Sequence, residues 1–246
     1  TQPLVETLNN EALAIDAAVA LGKIGDPQAG EGLLKLIGSK DASTRQAAVS
    51  ALNSLGPPPN SNRIVPLLRD PDSNDRESAV KIAGYFGYAE AANELLELSH
   101  DPSEAVRCAA IEHLPFIEDE RAVEVVVHAL KEENPKVRAA AARALGNMDT
   151  SDGVSHLINA LADDDAWVRY FSARALGRRR AEAGVAALEN ILENEEFNHV
   201  RIAALDSLGQ IGGPRIAGIV ADLVRDDDTD VAHAAQAALG KSEQGK

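Results

Sequence analysis

The chain has 246 residues, 45% of them apolar and 3% aromatic, which supports a substantial core and excludes a disordered segment. Lys and Arg total 24 against 39 Asp and Glu; the formal charge of −15 repels phosphate backbones and anionic headgroups, so neither nucleic acid nor a membrane is expected as partner. Cys108, the single cysteine, excludes an intrachain disulfide and a thiolate metal cage and fits a reducing, cytoplasmic setting, and no apolar run of about 18 residues predicts a membrane span.

Leu4, Val5 and Leu8 belong to a first predicted helix that begins abruptly, so the array could continue upstream and the chain be a fragment. A second helix carries Ala14 and Leu21, and Gly25-Asp26-Pro27 marks the turn after it. From there a period takes over. Arg45, Arg76, Arg107, Arg138 and Arg169 stand 31 residues apart and Arg201 follows after 32, while Ala14 and Ala232 occupy the same site at the two ends. Seven positions after each site come Leu21, Leu52, Ala83, Leu114, Leu145, Leu176, Leu208 and Leu239, several followed by glycine as in Gly22, Gly84, Gly146, Gly177, Gly209 and Gly240.

The period over residues 123–153 shows one unit in full. Val123, Val126, Val127 and Leu130 make one helical face, Glu132 to Pro135 is a polar break, and Pro135 suits the first turn of a second helix. Val137, Ala140, Ala141, Ala144, Leu145 and Met148 form that helix's apolar face, whose alanines allow close approach, and Gly146 is expected to relieve strain at its C-terminus. Neither helix buries its apolar face alone, so the pairs stack into an all-α solenoid of about eight two-helix repeats with one continuous core and no strand. The expected layout is one domain over 1–246, with repeats at approximately 1–30, 31–60, 61–91, 92–122, 123–153, 154–184, 185–216 and 217–242.

An acidic residue stands six positions before the arginine of a Val-Arg pair at Asp101 with Arg107, Glu132 with Arg138, Asp163 with Arg169 and Glu195 with Arg201. Asp70 with Arg76 matches except that Asp75 replaces the valine, and Ser39 with Arg45 lacks the acid. This pattern resembles the HEAT family, in particular the bacterial repeats named after phycobilisome lyases. The resemblance implies a right-handed α-α superhelix and a ladder of ionic hydrogen bonds between successive repeats. The arginines are accordingly read as structural, each paired with a carboxylate six residues earlier or in the next repeat.

Residues that break the period are the candidates for binding. In the sixth repeat Trp167 stands where the others have Ser43, Asn74, Ala105, Lys136, His199 and Asp230. Trp167, Tyr170, Arg174 and Arg178 share one stripe of the second helix, with Arg143 one repeat earlier beside Arg174. Arg179, inside Arg178-Arg179-Arg180, takes a position that is apolar in most repeats. This stripe is the predicted partner face, since Trp, Tyr and Arg dominate interface hot spots, the alternative being that the arginines only neutralise Asp163, Asp164, Asp165 and nearby glutamates. Tyr85 and Phe116, at equivalent positions, form a second candidate pair, Phe86 is read as packing, and His113 as a satisfied near-surface residue. The six histidines form no His-Glu motif, so no metal site is expected. With no phosphate loop, nucleophile elbow or isolated carboxylate pair, catalysis is not expected.

The expected function is therefore a scaffold or adaptor that binds another protein, with an acidic or mixed-charge contact surface, along the groove and without a cofactor. Resemblance adds a bilin lyase or lyase subunit, in which Trp167, Tyr170, Arg143 and Arg174 would hold a linear tetrapyrrole, and a third reading is a regulatory module of a larger enzyme.

Overall fold

A computed structural model describes residues 1–56, 63–150 and 152–244, with side chains through Lys241. The expected boundary between the second and third repeats, at 60 and 61, lies outside the described residues. The chain forms two compact units, Thr1–Ala122 and Val123–Lys246. All regular structure among the described residues is helical.

In the first unit α1 (Gln2–Thr7) and α2 (Ala14–Ile24) are followed by the pairs α3 (Gly30–Leu34) with α4 (Ala42–Leu55), α5 (Ile64–Leu67) with α6 (Ser73–Phe86), and α7 (Ala92–Leu98) with α8 (Glu104–His113). The second unit, whose boundary falls in the first turn of α9 (Arg121–Ala129), continues with α10 (Pro135–Leu145). Three pairs follow: α11 (Gly153–Ala160) with α12 (Ala166–Arg178), α13 (Val185–Asn194) with α14 (Asn198–Ile211), and α15 (Pro214–Ala221) with α16 (Thr229–Gln244). None is long and apolar enough to cross a membrane.

The period explains the packing. Within each unit the second helices pack in series, α2–α4–α6–α8 and α10–α12–α14–α16, and α2, α4, α6, α8, α12, α14 and α16 each pack against their own first helix. Buried Leu21, Leu52, Ala83, Leu114, Leu145, Leu176 and Leu208, all 1% exposed or less, are the repeated core position. Side-chain caps set where most second helices begin: Asp41 accepts from the Thr44 N–H, Asp72 from that of Asn74, Asn134 from that of Lys136, and Asp165 from those of Trp167 and Val168.

The structure corrects one reading of the glycines. Gly146 is right-handed at φ −63° and relieves no strain. It is there for space, because a Cβ would lie 2.9 Å from that of Ala175, and one at Gly177 would lie 2.6 Å from Ser207 Cα. The left-handed turn comes three positions later, at Gly25, Gly56, Gly87 and Gly212.

Candidate functional site

The arginine ladder works through two different ends of each guanidinium. In the second unit Arg138 Nε and Nη2 clamp the Asp163 carboxylate at 2.7 and 2.8 Å, and Arg169 clamps Glu195 at 2.6 and 2.8 Å. Arg201 meets Asp226 through Nη2 and, at 3.5 Å, Nη1 instead, an acid that reading the sequence in pairs six apart missed. In the first unit Arg76 clamps Asp101 at 2.8 and 2.9 Å. The remaining Nη1 donates to backbone carbonyls five and six residues earlier, as from Arg76 to Asp70 and Pro71, Arg107 to Asp101 and Pro102, and Arg138 to Glu132 and Glu133. Six positions earlier, then, it is the backbone that accepts, while the carboxylate belongs to the next repeat. Arg45 departs from the expected pairing: it donates to the carbonyls of Ser39 and Lys40, while the Asp70 carboxylate accepts from the Asp72 N–H.

Burial pushes the carboxyls of Asp101, Asp163 and Glu195 up, but their arginine and amide hydrogen bonds outweigh it and hold all three below the usual carboxylate range.

The sixth repeat presents a different surface. Trp167 is 55% exposed, its ring 5.4 Å from Tyr170, 6.1 Å from Phe171 and 5.0 Å from His199. Tyr170 and Phe171 meet edge-on at 5.0 Å, and His199 also approaches Tyr170 at 5.9 Å and the exposed Phe197 at 5.8 Å. Guanidinium groups cover three of these rings: Arg143 lies 4.4 Å over Phe171, Arg174 lies 5.7 Å over Tyr170, and Arg169 lies 6.0 Å over Phe197. Arg174 also donates to the Tyr170 hydroxyl at 2.9 Å. The result is one aromatic and cationic face built on α10, α12 and the start of α14.

Its predicted members Trp167, Tyr170, Arg143 and Arg174 come together, and exposed Arg178 extends the stripe by one turn, donating to the Asn147 side chain. Arg179 does not belong to it. It donates to the carbonyls of Leu145, Met148 and Thr150, at 2.5 Å for the last, and so caps the C-terminal end of α10. Of the acids in the alternative reading, Asp163 is held by Arg138 and Asp165 caps α12.

Three residues of this region were not singled out in advance, and each breaks a local rule. Phe171 fills a position that holds Ala47, Ser78, Ala109, Ala140, Ala203 or Ala234 in the other repeats after the first, which has Asp16. Phe197 is the N-cap residue of α14 and makes no side-chain cap, where α4, α6, α8, α10 and α12 begin on Asp, Ser or Asn and α2 begins on Leu13. Arg180 is left-handed at φ 48°, on the position that is glycine at 25, 56, 87 and 212. A lost cap and a left-handed non-glycine residue each cost about 1 kcal/mol. Such sacrifices cluster where function requires them.

The first unit's aromatic candidates share no ring contact among the described residues. Tyr85 and Phe116 are 58% and 54% exposed, but Tyr85 stacks edge-on with its neighbour Phe86 at 5.0 Å, and Phe116 meets His113 at 6.1 Å. His113 is not the satisfied surface residue expected. Its Nδ1 is buried with no hydrogen-bond partner among the described residues, and burial, with a smaller contribution from Lys81, pushes its pKa down to about 4.

Comparison with known proteins matches the chain to HEAT repeats over residues 1–63, 61–146, 94–170 and 154–240. Among solved structures it is similar to the Escherichia coli protein YibA (18% identity, TM-score 0.63, covering 87% of this chain and 92% of that one). It is also similar to the complex of CpcE and CpcF of phycocyanin lyase from Nostoc sp. PCC7120 (21%, 0.57, 97% and 93%) and to Kap121p (13%, 0.74, 98% and 33%). No curated protein matches it by sequence.

Proposed function

The chain belongs to the HEAT-repeat family, and on that premise we propose that it is a protein-binding scaffold whose contact face is the ring cluster of α12 and α14. One observation carries the reading: in a chain with 3% aromatic residues, Trp167, Tyr170, Phe171, Phe197 and His199 gather on one face, and Phe197 does so by giving up a helix cap. Large rings immobilised by one another bury much apolar area on binding and lose little conformational freedom. Half-buried Arg143 and exposed Arg174 give the contact surface mixed character, suited to a partner whose own surface is acidic or mixed in charge.

Affinity capture from source-cell lysate tests this with the wild type and the double variant Trp167→Ala/Arg174→Glu, followed by reconstitution from purified components. The expected result is a protein retained by the wild type, lost from the variant and bound directly in the purified pair. Identical partners in both samples would remove the face from the interface. A linear tetrapyrrole is a second occupant, favoured by the same geometry, because flat conjugated rings stack on Trp167 while propionates meet Arg143 and Arg174. Added bilin would then change its visible absorption, a signal that a plain scaffold does not produce.

A further inference from the structure

Resting on that reading, we infer that the partner docks through a short acidic segment with an apolar anchor: the anchor packs on Trp167, and carboxylates engage Arg174 and Arg178. The whole-chain charge of −15 would by itself select a basic partner. At the ring cluster the local chemistry has the opposite sign. Arg174 and Arg178 are both exposed, stand one turn apart on α12, and form no ion pair among the described residues despite 39 acids in the chain.

The ladder and cap carboxylates beside the rings are already committed. Asp163 is clamped by Arg138, Glu195 by Arg169 and Asp226 by Arg201, while Asp165 caps its own helix. One repeat on, the position equivalent to Arg174 is Asp206, which faces Lys241 at 3.9 Å, so the positive stretch ends at α12.

What Arg174 and Arg178 hold instead are neutral acceptors, the Tyr170 hydroxyl and the Asn147 side-chain oxygen. A carboxylate displaces either, because charge-assisted bonds are shorter and about twice as strong as neutral ones. Arg174 is also positioned beforehand by its stacking on Tyr170, which lowers the ordering cost of binding. Charges more than about 8 Å away are largely screened at physiological salt, so these two guanidiniums, and not the distant acids, set the preference at contact.

Trp167 is the single tryptophan, so its emission reports binding at this face without a label. The test titrates the full chain with a synthetic peptide carrying one phenylalanine followed by glutamates, with its lysine counterpart, and with an uncharged serine counterpart. The glutamate peptide is expected to shift Trp167 emission and to bind at least about tenfold more tightly than the other two. In Arg174→Glu/Arg178→Glu the order should reverse in favour of lysine, and in Arg174→Gln/Arg178→Gln the three peptides should become equal. Equal binding of all three to the wild type, with Trp167 emission moving, would overturn the acidic-segment inference and leave the contact face in place. Glutamate-peptide binding that neither moves Trp167 emission nor weakens in Trp167→Ala would overturn the face itself. Binding of none of the peptides would overturn this inference, and the capture experiment would then judge the face separately.

Discussion

In the first unit Arg76 reaches Asp101 across one repeat, and in the second Arg138, Arg169 and Arg201 build the same bridge three times over. The exposed rings of the two units are arranged differently. Those of the first contact their immediate chain neighbours, Tyr85 on Phe86 and Phe116 near His113. Those of the second join α12 to α14 in one cluster under guanidinium groups. A shared frame and divergent surfaces are what a repeat protein allows, because each repeat stabilises only its neighbours and leaves its outer positions unconstrained. The comparison separates residues that hold repeats together from residues held out for a partner.

The largest expected effect breaks the frame. Arg169→Ala leaves Glu195, 4% exposed in its side chain, without its cation, and should destabilise the protein by about 3 kcal/mol in urea unfolding. Arg45→Ala removes only bonds to carbonyls and should cost about 1 kcal/mol, so equal losses would show that carboxylate pairing is not what holds successive repeats.

Acid should sharpen the contrast. His113 has a folded pKa near 4, below its unfolded value of about 6.5, so the unfolded chain takes up the proton first. Its contribution is complete above about pH 6.5 and is lost as the pH falls toward 4, to a total of roughly 3 kcal/mol. The ladder acids Asp101, Asp163 and Glu195, whose folded values are depressed, lose their contribution only below the ordinary carboxylate range. Denaturation followed against pH in wild type and His113→Ala checks this; an unchanged slope between pH 6.5 and 4 would refute the role of His113.

Binding should divide the rings as the geometry does. Trp167→Ala is expected to weaken partner binding by about 2 kcal/mol with little change in Tm, while Phe116→Ala leaves binding unchanged. The reverse result by calorimetry would move the interface to the first unit. The smallest effects are gains. Phe197→Asp should restore a cap to α14, and Arg180→Gly should relieve the left-handed residue, each adding about 1 kcal/mol. Gly87→Arg, the reciprocal change in the first unit, should lose about as much. If Phe197→Asp stabilises the chain without weakening binding, the missing cap has nothing to do with the partner.

Much of the frame was legible in the sequence because a helix pair that must stack on its copies repeats its core residues at a constant interval. The Leu21 to Leu208 series and the arginine sites record that interval directly. Parts of the site were legible too, since Trp167 breaks its column. Phe171 and Phe197 break theirs as plainly, and comparing every column, including the cap position, would have found both. Asp226 follows from adding to Arg201 the offset of 25 that joins Arg76 to Asp101.

What remained hidden was direction. Arg178 and Arg179 are chemically identical neighbours, yet successive helical residues point about 100° apart, so one enters solvent and the other reaches the carbonyls closing α10. His199 likewise reads as one histidine among six until α14 packs beside α12 and sets its ring 5.0 Å from Trp167. The sequence by itself determined the period, the helix pairs and the positions reserved for core and ladder, because those depend on spacing along one chain. Only the tertiary structure decided which carboxylate each arginine holds, which guanidiniums remain exposed without an ion pair, and which rings meet, because those depend on distances between helices that no spacing along the chain contains.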